Sequence, residues 1–200
     1  QVTAIAATTG TPQSGQTLTA GALTPADATA DYKWQVSDDG STSWVDVAGA
    51  TMNTYAVDLA KTAVGKYVRV VATGKTNFSG TVNSTATQIG ATPVTAIAAT
   101  TGTPQSGQTL TAGALTPNDA TADYKWQVSD DGSTSWVDVA GATTNTYAVD
   151  LAKTAVGKYV RVVANGKTNF SGTVNSVATQ IGATQVTAIA ATTGTPQSGQ

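Results

Sequence analysis

Cysteine, histidine and glutamate are all missing from the 200 residues. Without cysteine there can be no disulfide, no cysteine-ligated zinc and no thiol nucleophile. Without histidine and glutamate the usual bases and nucleophile activators reduce to Asp, Lys and Tyr. No Gly-rich phosphate loop and no carboxylate pair beside a pocket is recognisable, so no enzyme is expected, with no catalytic residue, no cofactor and no metal. Aromatic residues make up 6% and charged residues 11% of the chain, with a net charge of −2. That balance offers no basic stripe for nucleic acid and no polybasic segment for an anionic membrane. No apolar run approaches the length of a membrane span, and the first residue is Gln, so any signal peptide or anchor is expected outside this window. The absence of cysteine does not choose a compartment.

What the chain does have is repetition. The stretch VTAIAATTGTPQSGQ occurs at Val2 to Gln16, Val94 to Gln108 and Val186 to Gln200, a period of 92 residues. Residues 1–92 and 93–184 are two complete copies that differ at five places: Gln1/Pro93, Ala26/Asn118, Met52/Thr144, Thr73/Asn165 and Thr85/Val177. This period exceeds the roughly 20–50 residues of repeats that cannot bury a face alone and falls within the size range of domains. Each copy is expected to fold by itself. Residues 185–200 open a third copy, whose first strand either starts the next domain or is donated to a neighbouring chain by β-augmentation.

Within a unit the residues are small, β-branched and interrupted by turn signals, which predicts strands with little helix. A short edge strand opens QVTAIAATTGTP. Gln16 to Leu23 alternates Leu18, Ala20 and Ala22 against Thr17, Thr19 and Gly21, the period of two expected of a half-buried strand. Asp31 to Val36 places Tyr32, Trp34 and Val36 on one face and Lys33 and Gln35 on the other. Asp39-Gly40 predicts a tight hairpin, with Trp44 to Val47 as the returning strand. Thr54 to Leu59 offers Tyr55, Val57 and Leu59 inward, and Lys66 to Ala72 offers Val68, Val70 and Ala72, as a central strand would. The stretch Phe78 to Ile89 closes the unit with Val82, Ala86 and Ile89 inward. About seven short strands in each unit predict an all-β fold, tandem antiparallel β-sandwiches of the immunoglobulin-like kind. Their core is expected around Leu18, Trp34, Val47, Tyr55, Val57, Val68 and Val70.

The succession YKWQVSDDGSTSWVDVAGAT, TYAVDL and AVGKYVRVVATG resembles the bacterial immunoglobulin-like (Big-type) tandem repeats of cell-surface proteins, S-layer-associated proteins and adhesin stalks, over the whole unit. The resemblance implies that Trp34 and Trp126 sit in the core on the third strand, and that Gly65-Lys66-Tyr67 leads into the sixth. Two features depart from antibody-type domains. There is no cysteine pair, and Arg69 stands where the second cysteine would be, which argues against Tyr67 as an inward tyrosine corner.

Candidate sites are few. Asp38 and Asp39, with Asp46 on the returning strand, are the best oxygen ligands for a hard cation, although a DDG tip is also an ordinary turn. Trp44 and Trp136 are either stacking platforms for sugar or lids on the end of the core. The lysines fall on outer faces or turns, which disfavours an intramolecular isopeptide bond. Asn77-Phe78-Ser79 and Asn83-Ser84-Thr85 match a common glycosylation triplet. The expectation is an extracellular, cell-surface structural protein, an array forming a stalk, fibre or surface-layer component that self-associates into a filament or attaches to the cell envelope outside this window. The alternatives are a multivalent adhesin or carbohydrate-binding module, in which repetition gives avidity, and an immunoglobulin-like decoration of a phage tail.

Overall fold

The computed structural model describes residues 1–185, which form strands, turns and loops with no helix among them. The expected opening strand of a third copy, in residues 185–200, lies outside the described residues apart from residue 185. The chain divides into two compact units: Gln1–Thr95 with Asp119–Ala122 and Asn165–Thr173, and Ala96–Asn118 with Asp123–Ala164 and the residues from Val174 onward.

In the first unit the strands are β1 (Ala4–Ile5), β2 (Thr17–Thr19), β3 (Leu23–Thr24), β4 (Ala30–Ser37), β5 (Val45–Asp46), β6 (Thr54–Ala56), β7 (Tyr67–Gly74), β8 (Thr81–Asn83) and β9 (Thr87–Gln88). Two of the seven expected strands are each broken in two, β2 with β3 and β8 with β9, which accounts for the nine pieces. One sheet runs β5-β4-β7, with β8 and β9 both paired to β7; facing it, β1 pairs with β3 and β2 with β6. These ladders are all antiparallel. The protein is thus an all-β tandem of immunoglobulin-like sandwiches.

The β4–β7 ladder is the backbone of the unit, continuous from Ala30↔Gly74 to Ser37↔Tyr67. Both strands alternate, so Trp34, Val68 and Val70 turn inward together and are fully buried. They join Leu18, Val47, Tyr55, Val57 and Ile89 in a single core cluster, which contains all seven expected core residues. The Trp34 ring lies 5.5 Å from that of Tyr55, and its Nε1–H donates to the Met52 carbonyl at 3.0 Å, so its polar edge is satisfied. Tyr55 donates its hydroxyl to Thr62 Oγ1 at 3.1 Å, and the fully buried Thr62 donates onward to the Asp58 carbonyl at 3.0 Å.

Three expectations are corrected. The second strand breaks after Thr19, where a Cβ on Gly21 would sit 2.4 Å from the Ala6 carbonyl oxygen. That close approach of two backbones interrupts the ladder and reverses the alternation, leaving Ala22 exposed and Leu23 half-buried. In the closing strand Ala86 is exposed while Ser84 is buried. The chain bulges there because Ser84 satisfies Val70 twice, accepting from its N–H through Oγ at 3.1 Å and donating its own N–H to the Val70 carbonyl at 2.9 Å. The predicted tight hairpin is a longer loop between Ser37 and Val45, with Gly40 at φ 72° and Ser43 at φ 50°.

The opening segment of the unit runs beside the closing one in parallel. Val2 N–H donates to the Ser79 carbonyl at 2.7 Å and Gly90 N–H to the Pro12 carbonyl at 2.8 Å. Between them Thr8 and Thr87 share a hydroxyl hydrogen bond of 2.8 Å, and Gln13 Nε2 reaches the Ala91 carbonyl at 3.2 Å. The second copy, residues 93–184, repeats the central ladder strands as Ala122–Ser129 and Tyr159–Gly166, and the parallel contacts as Thr100–Thr179, Gly182–Pro104 and Gln105–Ala183. In addition, Thr92–Pro93 pairs in parallel with Phe170–Ser171.

Candidate functional site

The face of β4 and β7 that turns away from the core carries an assembled polar network of side chains. It follows from strand alternation: residues between the buried ones on β4 and β7 point outward, and the register sets Gln35 opposite both Arg69 and Asp46. Arg69 Nε donates to Gln35 Oε1 at 2.9 Å. Gln35 Nε2 donates to Asp46 Oδ1 at 2.7 Å, and Lys33 Nζ donates to Asp46 Oδ2 at 3.1 Å. The guanidinium carbon of Arg69 lies 4.2 Å from the centre of the Trp44 ring, a cation–π stack. Asp46 is held below its ordinary pKa, first by Gln35 and then by Lys33, and partial burial lowers that of Arg69. Arg161, Trp136, Gln127, Asp138 and Lys125 repeat the arrangement in the second copy.

Sequence reasoning placed Lys33 and Gln35 outward and Arg69 within a central strand, but did not foresee that they assemble. Gln35 is buried despite its outward position, because Arg69 and Asp46 lie across it. Trp44 is neither in the core cluster nor a bare platform: it is half-buried, with Arg69 over one face and its Nε1–H directed to the Ser41 carbonyl at 3.3 Å.

The three candidate metal ligands are drawn apart. Asp38 pairs with Lys66, and Asp46 with Gln35 and Lys33. Asp39 organises its own loop: Oδ1 accepts from the N–H groups of Ser41 and Thr42, both at 2.8 Å, and Oδ2 from the Thr42 hydroxyl at 2.6 Å. Among the described residues no cluster of three potential ligands occurs. One cleft of the first unit, about 210 Å³, is walled by Ala48, Ala50, Met52, Tyr55, Ala56 and Lys61, with no carboxylate in its lining. The lysines of residues 1–92 are between 43% and 50% exposed in their side chains, on the outer surfaces expected for them.

Those loop bonds push the Asp39 pKa well below the carboxylate range, led by the Thr42 hydroxyl. A carboxylate with a depressed folded-state pKa adds stability that is fully present above the unfolded-state value and is lost as pH falls toward the folded one. Asp39→Asn should therefore flatten the fall in the first unit's urea midpoint below pH ~4. Urea titrations at a series of pH values check this; an unchanged slope would refute it.

The architecture defines a class, the tandem all-β sandwich array. A family described as a domain of unknown function (DUF8696) matches residues 6–93 and 100–185, once per copy, and the chain belongs to it. No curated protein matches the chain in sequence. Among solved structures it is similar to the FN1-FN3 domains of chicken CNTN1, with 15% identity over 88% of this chain and 67% of that one, and a TM-score of 0.32. Domains A168-A170 of titin show 14% identity over 90% of this chain and 61% of that one, with a TM-score of 0.34. A 1.5-MDa bacterial ice-binding adhesin shows 17% identity, covering 86% of this chain and 58% of that one, with a TM-score of 0.26. No helix among the described residues is long and apolar enough to cross a membrane.

Proposed function

We propose that the chain is a tension-bearing section of an extracellular structural array, a stalk, fibre or surface-layer component on the cell surface, without catalytic residues. The observation that supports this reading is the parallel contact of the opening and closing segments in each unit, from Val2 with Ser79 to Gln13 with Ala91. The chain enters a unit at one end of this contact and leaves at the other. Tension along the array then slides the two segments past one another, so the bonds between them share the load and do not open one at a time. Near-identical copies in series would each resist at a similar force, as a tether requires. Self-association into a filament, or attachment to the cell envelope through residues outside this window, belongs to the same reading.

Single-molecule pulling from both termini tests it. Two unfolding steps of similar force are expected, each releasing roughly 300 Å of chain, given about 3.3–3.6 Å per extended residue and a period of 92. Thr8→Val with Gln13→Ala should lower the force of one step and leave the other in place. Units that extend without a measurable force peak, or a force unmoved by these substitutions, would sink the reading.

A further inference from the structure

In the first copy, residues 1–92, each lysine has a carboxylate partner: Lys33 with Asp46, Lys61 with Asp58, Lys66 with Asp38 and Lys75 with Asp31. Arg69 is the one side-chain cation of that copy with no ion pair among the described residues. Its neighbour Asp46 is already occupied through both oxygens, by Gln35 and Lys33. The guanidinium is nevertheless held in place. It stacks on Trp44 at 4.2 Å and commits only Nε, to Gln35. Gln35 is itself buried and anchored by Asp46. Nη1 and Nη2 thus form a fixed fork of donors with no protein acceptor among the described residues.

From this we propose that the outer sheet face of each unit binds a carboxylated polysaccharide, gripped by Arg69 in the first unit and Arg161 in the second. A planar fork of two N–H donors matches the two oxygens of a carboxylate, which a point-like ammonium does not. The stack and the Gln35 bond are made before any ligand arrives, so little side-chain freedom remains to be lost on binding. One charge-assisted contact per unit is weak, which favours a polymer with a carboxylate on every residue: it can engage identical sites without a fixed register and gains from their number. A folded protein partner would bury an apolar, charge-depleted centre, and this face is a polar network with charged groups at its middle. The inference is independent of the tension-bearing reading, since a stalk can bear load whether or not it binds a glycan.

The test is affinity electrophoresis and calorimetric titration of the whole chain with polygalacturonate at low salt, beside its fully methyl-esterified form and poly-glutamate. Polygalacturonate should bind, its esterified form should not, and the double variant Arg69→Gln/Arg161→Gln should lose at least about tenfold in affinity. Arg69→Lys/Arg161→Lys, which keeps the charge and loses the fork, should also weaken binding. Lys66→Gln/Lys158→Gln removes equal charge elsewhere and should leave affinity unchanged. Circular dichroism establishes that each variant is folded, and the esterified arm needs no variant at all. No binding of polygalacturonate, binding indifferent to esterification, equal loss in the lysine-to-glutamine variant, or arginine-dependent binding of poly-glutamate in its place would each overturn the proposal.

Discussion

Trp34→Ala is expected to destabilise the first unit by about 3–5 kcal/mol and to leave the melting of the second unchanged. Trp34 is fully buried, with an indole partnered on its face by Tyr55 and at its Nε1–H by the Met52 carbonyl. Truncation opens a cavity beneath the continuous β4–β7 ladder, which holds the strand carrying Trp34 in register, so the sheet cannot collapse freely to fill it. It also removes the donor that satisfied Met52. Against a total stability of about 5–15 kcal/mol for a domain of this size, such a loss takes the unit close to its unfolding threshold. Scanning calorimetry should then resolve two transitions, the lower one belonging to the first unit. Trp126→Ala should produce the mirror result, since Trp126 has the same ring geometry with Tyr147. A single transition that moves as a whole under either substitution would mean that the copies do not fold independently.

The core was legible because alternation is a local property. Leu18, Trp34, Val47, Tyr55, Val57, Val68 and Val70 follow from strand periodicity alone, and all of them pack together. What escaped depends on cross-strand register, which no local pattern encodes. Gln35 reads as a solvent-facing residue until the ladder sets Arg69 on one side of it and Asp46 on the other. Trp44 reads as a lid or a platform for the same reason, since its partner lies 25 residues further on at a register not yet known. The signal that could have found the network was chemical: outward Lys33 and Gln35, Asp46 on the next strand and Arg69 on a central one are complementary groups on one face. Ser84 was hidden differently. A serine whose Oγ replaces a ladder acceptor is expected in a bulge, and a bulge shifts every later residue to the opposite face, which is how Ala86 came to be misplaced. Asp39 was legible as a turn residue, but its several bonds lengthen the loop beyond the tight hairpin that Asp-Gly alone suggests.

Gly10→Ala, in the stretch that recurs through the chain, is expected to cost about 2–6 kcal/mol, the sum of backbone strain and steric displacement. Gly10 has φ 106°, a conformation that L side chains rarely adopt, and a Cβ there would lie 2.2 Å from the Thr17 carbonyl oxygen and 3.3 Å from the Leu18 Cα. Those atoms are main chain of the strand that carries fully buried Leu18, so nothing flexible can give way. The opening segment must move instead. It is held to the second strand by the Thr9↔Thr19 bridge and to the closing segment by Thr8 with Thr87 and Pro12 with Gly90. A shift at Gly10 therefore loosens both attachments together. The substitution should lower the urea midpoint of the first unit and, in the same protein, the force at which that unit yields. Trp34→Ala provides the contrast, since it weakens the core without touching the contact between the two segments. Gly102→Ala should repeat the result in the second unit, where φ is 104° and the Cβ would again lie 2.2 Å from a carbonyl oxygen, that of Thr109. If Gly10→Ala lowers the urea midpoint while the unfolding force stays at its original value, the load does not pass through the opening segment and the tension-bearing reading falls with it.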